Sequence, residues 1–290
     1  MKENFPLVSI IITCFKEKFL LKDAVNSALN QTYPNFEIIL VKDFSNCNET
    51  LRICEELKTN EEIELVINEF QRFTSGSRNE GIKKSSGEFI FCLDGDDYID
   101  DKFISTCMKE ILSNTFIDYV YTDMYNVYES HEEVYEKIDF DISKVIARGY
   151  PGSGIFYSRI HYDMTNGYNE DLIGQEDWEF LVQLSGFDLV GKRIAKPLYY
   201  YRRKSINESK HVVSTLENGI QSRLKIIDNN KKTFEKHSIG VIVELFKMNQ
   251  KLWTSVYNTQ NPKHNFVSLL KWIIGSKILG FLKKIRNVRS

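Results

Sequence analysis

The run Leu7-Val-Ser-Ile-Ile-Ile-Thr-Cys-Phe15 is almost wholly apolar and rich in β-branched residues. Lacking polar alternation, it predicts a strand buried on both faces. Apolar positions then recur at helical spacing through Leu20, Ala24, Val25, Ala28 and Leu29, predicting a helix over 19–29. Pro34 and Asn35 break the chain before Phe36-Glu-Ile-Ile-Leu-Val41, a second buried strand that ends at Asp43. The polar turn Ser45-Asn-Cys-Asn48 predicts a helix to about Leu57 with Asn48 as its N-cap. Ile63 to Ile67 predicts a third strand, and Gly76 to Lys84 a helix with Gly81 as a weak point. Gly87-Glu-Phe-Ile-Phe-Cys-Leu93 predicts a fourth strand running into Asp94-Gly-Asp-Asp97. Asp100 to Leu112 is again helical, and Asp118 to Val127 again a strand.

This alternation predicts an α/β fold: a mostly parallel central sheet flanked by helices, with right-handed crossovers. From Tyr128 to Tyr201 the order loosens. Gly149-Tyr-Pro-Gly-Ser-Gly154 is loop material, Glu176 to Leu184 predicts a helix, and Pro197 to Arg202 a strand. From about Val212 the pattern is helical to the end. The expected division is an α/β domain over 1–205 and a C-terminal helical extension over 206–290.

Composition narrows the class. Of 290 residues, 42% are apolar and 27% charged, which excludes a disordered, collagen-like or disulfide-stapled chain. The net charge of −2 gives no reason to expect nucleic acid as a partner. Its distribution is uneven. Up to Glu244 the chain holds 29 basic and 40 acidic residues, whereas the last 46 positions hold nine Lys or Arg and no acid. Five cysteines (Cys14, Cys47, Cys54, Cys92, Cys107) show no Cys-x-x-Cys spacing, so neither a zinc site nor a disulfide framework is implied. With no apolar run before the first strand, no signal peptide is expected, and a reducing, cytoplasmic setting fits. The apolar stretch Phe266 to Leu282 is interrupted by Lys271 and Lys277 and falls short of the roughly 20 residues of a membrane span.

In open α/β sheets ligands bind beyond the carboxyl ends of the strands, where strand order reverses. If the order is 3-2-1-4, Thr13-Cys-Phe15, Asp43 and Asp94-Gly-Asp96 line one crevice. Crowding carboxylates into Asp94-Gly-Asp-Asp97 costs Coulomb repulsion that a hard cation such as Mg2+ or Mn2+ offsets. A solvated turn leading into the next helix fits the same residues.

Taken together, five stretches resemble the nucleotide-binding half of family 2 glycosyltransferases, inverting enzymes of the GT-A (Rossmann-like) fold. They are Val8-Ser-Ile-Ile-Ile-Thr-Cys-Phe15, Ser27-Ala-Leu-Asn-Gln-Thr-Tyr33, Glu37-Ile-Ile-Leu-Val-Lys-Asp43, Ser77-Arg-Asn-Glu-Gly-Ile82 and Ser86-Gly-Glu-Phe-Ile-Phe-Cys-Leu-Asp-Gly-Asp-Asp97. A weaker likeness continues through Gly174-Gln-Glu-Asp177 and Tyr199-Tyr-Tyr-Arg202, so it covers about the first 205 residues.

The resemblance implies roles. Thr13 and Phe15 would contact uracil, Asp43 would accept from its N3–H, and Arg78 would lie near the base or diphosphate. Asp94 would bind ribose or assist the metal, and Asp96 would ligate the Mn2+ or Mg2+ that bridges the diphosphate. Of Glu176 and Asp177, one would be the general base, usually the Asp. The implied activity is transfer of a hexosyl or N-acetylhexosaminyl unit from a UDP-sugar, with inversion, to a glycan or lipid-linked acceptor in cell-surface polysaccharide biosynthesis. One departure stands at the second strand, where the family's two acids and a Gly are replaced by Lys42-Asp43-Phe44. A nucleotidyltransferase and a non-catalytic nucleotide-sugar binder are the rival classes. A dinucleotide-binding dehydrogenase is disfavoured by the missing glycine fingerprint after the first strand. The basic, amphipathic segment Phe266 to Arg286 suits a helix in the headgroup layer of an anionic membrane, at the inner face of the plasma membrane. It suits equally a helix packed on the catalytic body or on a second copy.

Overall fold

The computed structural model describes residues 5–172, 174–203 and 216–258. The N-terminal half alternates as its pattern requires: β1 (Val8–Cys14), α1 (Leu20–Leu29), β2 (Phe36–Lys42), α2 (Asn48–Leu57), β3 (Ile63–Ile67), α3 (Phe73–Lys84) and β4 (Phe89–Asp94). After it come β5 (Tyr98–Ile99), α4 (Phe103–Ser113), β6 (Tyr119–Val127), β7 (Glu132–Tyr135), α5 (Ile142–Arg148), β8 (Ile155–Ser158), α6 (Arg159–Asp163), α7 (Glu176–Gly186) and β9 (Gly191–Arg202). Helices α8 (Leu216–Asn229), α9 (Lys231–Lys236) and α10 (Ser238–Asn258) follow.

The described residues form one nine-stranded sheet in the order β3-β2-β1-β4-β8-β6-β9-β5, with β7 pairing β6 outside this path. The first four strands are parallel, as expected, and their order is the 3-2-1-4 on which a shared crevice depends. Past β4 the sheet is mixed: β8 runs antiparallel to β4 and β6, while β6 and β9 are parallel. The α/β architecture that the resemblance implies is present. The unbroken apolar run of β1 serves two cores. Ile10 and Ile12 pack with α1, α2 and α4, and Ile11 packs on the other face with residues of α3, α5 and α7.

Several element starts differ from the sequence expectation, each for a contact the local pattern does not contain. Helix α3 begins at Phe73 rather than Gly76, because the Asp43 carboxylate accepts the backbone N–H groups of Arg72 and Phe73, both at 2.9 Å. Helix α4 begins at Phe103 rather than Asp100, because Tyr98 and Ile99 pair with β9 and the Asp100 N–H bonds the Leu198 carbonyl. Asn48 is not an N-cap: Cys47 holds that position without a side-chain hydrogen bond, and Asn48 is the first helical residue. Within the loosely patterned stretch, Asp141 caps α5 and Gly149 ends it in the left-handed conformation.

Helices α9 and α10 pack on the α/β body. Asn230, which caps α9, bonds Glu179 of α7 at 2.9 Å, and Glu244 of α10 pairs with Arg148 of α5 at 2.6 Å. Among the described residues no helix is long and apolar enough to cross a membrane. The basic segment Phe266 to Arg286 lies outside the described residues.

Candidate active site

The parallel registers align the ends of β1, β2 and β4, with Thr13 beside both Val41 and Asp94. Backbone bonds tie these ends together. Gly95 N–H donates to the Thr13 carbonyl at 2.9 Å, and Asp43 N–H to the Cys14 carbonyl at 2.7 Å. A Cβ on Gly95 would stand 2.9 Å from the Thr13 oxygen, so only glycine lets the acidic turn lie this close to β1. Thr13 is buried in this junction, and Phe15 is half-buried beneath the Lys16 ammonium, 4.7 Å from its ring centroid.

Asp43 is 4% exposed. One carboxylate oxygen accepts from Asn68 Nδ2 and Arg72 N, the other from Phe73 N. It therefore anchors the start of α3, where Phe73 is held at φ +55°, a conformation that bulky side chains rarely adopt. Lys42 does not pair with this carboxylate. Its ammonium, on a 3% exposed residue, donates to the Asp43 carbonyl at 3.1 Å and to Ser45 Oγ at 3.2 Å. The departure from the family pattern thus puts a buried cation beneath the turn after β2.

Arg78 of α3 joins the two sets of acids. At 2% exposure, it donates through Nη2 to Asp94 Oδ1 at 2.9 Å and through Nη1 to Asp177 Oδ1 at 2.5 Å. Glu176 stands 3.9 Å from the same Nη1. Its guanidinium also lies 5.1 Å from the Tyr168 ring centroid. Burial opposes the arginine's charge, but Asp177 and Asp94 outweigh it and hold its proton more tightly than usual. The chain enters α7 through two consecutive left-handed residues, Gly174 and Gln175. That sharp entry presents Glu176 and Asp177 in the first turn, where the helix dipole favours acids. Burial first, and the charge of Asp177 second, push the Glu176 carboxyl up to about 7.

The acidic turn divides its labour. Asp97 is buried, accepting from the Tyr199 hydroxyl at 2.7 Å and from Arg202 N at 2.8 Å. Burial, with Asp96 and Asp94 adding like charge, keeps its carboxyl well above the ordinary range. Asp94 and Asp96 stay half-exposed on the crevice side. Among the described residues no group of three or more His, Cys, Asp or Glu is placed to hold an ion. The pair Asp94 and Asp96 remains, a hard-oxygen donor set that fits Mg2+ or Mn2+ completed by water and phosphate.

Two further residues near the crevice are held by packing and ion pairing. Trp178 is a packing residue: its indole N–H bonds the Ile146 carbonyl at 3.0 Å and its ring lies against Gly149. Arg202 is tied in, donating to the Asp96 carbonyl at 3.0 Å and to Asp23 at 2.6 Å. Lys137 escaped sequence reasoning, since a lone lysine in an irregular stretch carries no signal. Its buried ammonium donates to the Ser153 carbonyl at 3.1 Å, and burial brings it down to about 8.

Comparison with known proteins agrees with this geometry. The model of glycosyl transferase family 2 matches residues 9–164. The chain is 38% identical over 94 residues to a poly-β-1,6-N-acetyl-D-glucosamine synthase of Staphylococcus epidermidis, covering 32% of this chain and 23% of that protein. It is 33% identical over 117 residues to the UDP-Glc:α-D-GlcNAc-diphosphoundecaprenol β-1,3-glucosyltransferase WfgD of Escherichia coli, covering 39% and 46%. The matches thus span less than half of either relative. In fold it is similar to S. aureus TarS 1–349 in complex with UDP-GlcNAc, with TM-score 0.66, 18% identity, and coverage of 92% of this chain and 79% of that one. It is also similar to the mannosyltransferase PcManGT of Pyrobaculum calidifontis in complex with GDP-Man and Mn2+, with TM-score 0.58, 12% identity, and coverage of 97% and 89%. Glu176 and Asp177 lie beyond the family match, but the strand ends, Arg78 and the acidic turn lie within it, and it spans more than half of the sequence: the chain belongs to glycosyltransferase family 2.

Proposed function

We propose that this chain transfers a hexosyl or N-acetylhexosaminyl unit from a UDP-sugar to a hydroxyl of a glycan or lipid-linked acceptor, with inversion at the anomeric carbon, in cell-surface polysaccharide synthesis. The observation that carries the reading is the Arg78 bridge between Asp94 and Asp177, which gathers acids from β4 and α7 at one crevice. UDP as the carrier is supported by the donor in the name of the Escherichia coli relative and by the nucleotide-sugar bound in TarS.

An acceptor hydroxyl is a poor nucleophile until a positioned base takes its proton as attack proceeds. Asp177 is that base. Arg78 occupies its Oδ1, leaving Oδ2 to accept the hydroxyl proton. The hydroxyl oxygen bonds to the anomeric carbon from the side opposite the diphosphate, the carbon–oxygen bond to UDP breaks, and its electron pair leaves with UDP. Thr13, Phe15 and Asp43 form the floor that receives uracil, and Arg78 turns Asp177 towards the reacting carbon. Asp96, with Asp94, would hold Mn2+ or Mg2+, which when bound supplies Lewis-acid neutralisation of the diphosphate. No contact at the site favours nucleotidyl transfer or mere binding.

Release of UDP from UDP-sugars in the presence of candidate acceptors tests the reading. Asp177→Asn is expected to lower turnover by about 10²–10⁴-fold, with UDP binding kept. Equal turnover would remove Asp177 as the base. Asp96→Asn is expected to abolish the dependence of UDP binding on Mn2+, read by calorimetry.

A further inference from the structure

The sheet carries a row of aromatic side chains that neither core uses. Register sets Tyr98 of β5 opposite Tyr200 of β9, Tyr200 beside Tyr125 of β6, and Tyr125 opposite Val134 of β7. Side chains paired in this way stand on one face. The rings stack, Tyr98 on Tyr200 at 4.5 Å and 10°, and Tyr125 on Tyr200 at 4.8 Å and 17°. The Arg202 guanidinium lies 4.6 Å from the Tyr98 centroid, and the Tyr98 hydroxyl donates to Glu132 at 3.2 Å. The alternate position Tyr199 is buried in the core, whereas the three stacked tyrosines are half-exposed, join neither core cluster, and end at the exposed Val134.

Four strands at the usual spacing make this row about 14 Å long, room for a short run of sugar rings. It is continuous with the candidate active site. Tyr98 directly follows Asp97, and Arg202 both covers Tyr98 and donates to the Asp96 carbonyl. The chemistry selects the occupant. Glu132 and Arg202 give the row both charge signs, so it is no basic stripe for a polyanion. The same two charges, with the phenol groups, break up the continuous apolar surface that a lipid chain needs. The stacked rings cover one another's faces and present their C–H edges and hydroxyls, which with the carboxylate and guanidinium groups match the mixed C–H and hydroxyl surface of a neutral glycan. We propose that this row is an acceptor subsite, over which the sugars of a neutral glycan chain lie with their reacting end at the acidic turn. The proposal rests on the glycosyltransferase reading and assigns where that reaction's acceptor binds.

Saturation-transfer NMR on the full chain without donor, using a panel of neutral hexose and N-acetylhexosamine oligosaccharides, tests it. At least one member is expected to bind wild type, and its affinity to fall about tenfold or more in Tyr200→Ala and in Tyr125→Ala. Tyr125→Ala lies on a different strand and reports if Tyr200→Ala fails to fold, and UDP binding on the same samples identifies a damaged protein. Phe116→Ala, which removes an exposed aromatic ring outside the row, is expected to bind the oligosaccharide as wild type does. Wild type that bound the oligosaccharide yet released no UDP from any UDP-sugar would overturn the glycosyltransferase reading while the row stood as a glycan site. Absence of binding by the whole panel, or binding unchanged in a folded tyrosine variant, overturns the proposal.

Discussion

Arg78 sits in surroundings that would strip the charge from a lysine, and the acids at both ends of its guanidinium keep it ionised. Its planar fork spans Asp94 and Asp177 at once, which a single ammonium cannot reproduce. The acids stood out in the sequence by their match to the family's motifs, although a solvated turn and a helix start would use the same residues. Their union through Arg78 did not, since 99 residues separate Arg78 from Asp177 and no local pattern encodes the pairing. Glu176 carries a consequence for pH. With its carboxyl up to about 7 against an ordinary 4.5, the folded protein keeps a proton that the unfolded chain releases between those values. Stability from this group is therefore complete below the unfolded value and is lost as pH rises towards about 7. Glu176→Gln cannot ionise. It is expected to melt close to wild type near pH 4.5 and to be more stable by about 2 kcal/mol near pH 8, read by thermal unfolding across pH. Parallel curves would mean that the Glu176 carboxyl titrates alike in the folded and unfolded chain.

At the scale of elements, α3 shows how far the chain departs from local preference. Its first turn is set by Asp43, some 30 residues upstream, and the register of Gly81 is set by the sheet beneath. The sequence marks Gly81 as a weak point in the helix. The structure supplies its reason: a Cβ there would come within 2.4 Å of Ile11 Cγ2 and 2.8 Å of Val41 Cγ2. Glycine lets α3 lie flush on β1 and β2, which brings Arg78 over the strand ends. Gly81→Ala would gain about 1 kcal/mol in helix propensity, but overpacking costs about 1–3 kcal/mol. The expected result is a net loss of stability, with a lower urea midpoint and an unchanged slope. A midpoint at or above wild type would show that α3 can move outward freely. Elements with long apolar runs, β1, β2 and β4, were readable to within two residues at either end. The pieces β5, β7 and β8 were not, because two to four residues hold no period to detect.

Over the whole molecule, a parallel sheet followed from four strand–helix repeats, with the order 3-2-1-4 only supposed, while the antiparallel half depends on pairings between distant short strands and stayed hidden. Burial reverses an impression from charge as well. The chain looks like an acidic body that ends at Glu244, yet Glu244 is a buried anion clasped by Arg148 and Lys247. Through that clasp α10 leans on α5, whose far side packs with α7, the carrier of Glu176 and Asp177. Removing one partner of a buried ion pair leaves the other unpaired, at a cost of about 3–5 kcal/mol for full burial. Arg148 is part-exposed at 29%, so the lower part of that range or less applies. Glu244→Ala is thus expected to destabilise by about 1–3 kcal/mol. UDP binding, which we propose uses residues at the carboxyl ends of β1, β2 and β4, should be unaffected. Turnover should fall, because α7 loses support through α5. Calorimetry with UDP and a UDP-release assay on one preparation separate the two effects. A variant that loses UDP binding in proportion to turnover would show that α10 supports the entire sheet rather than the α5–α7 side.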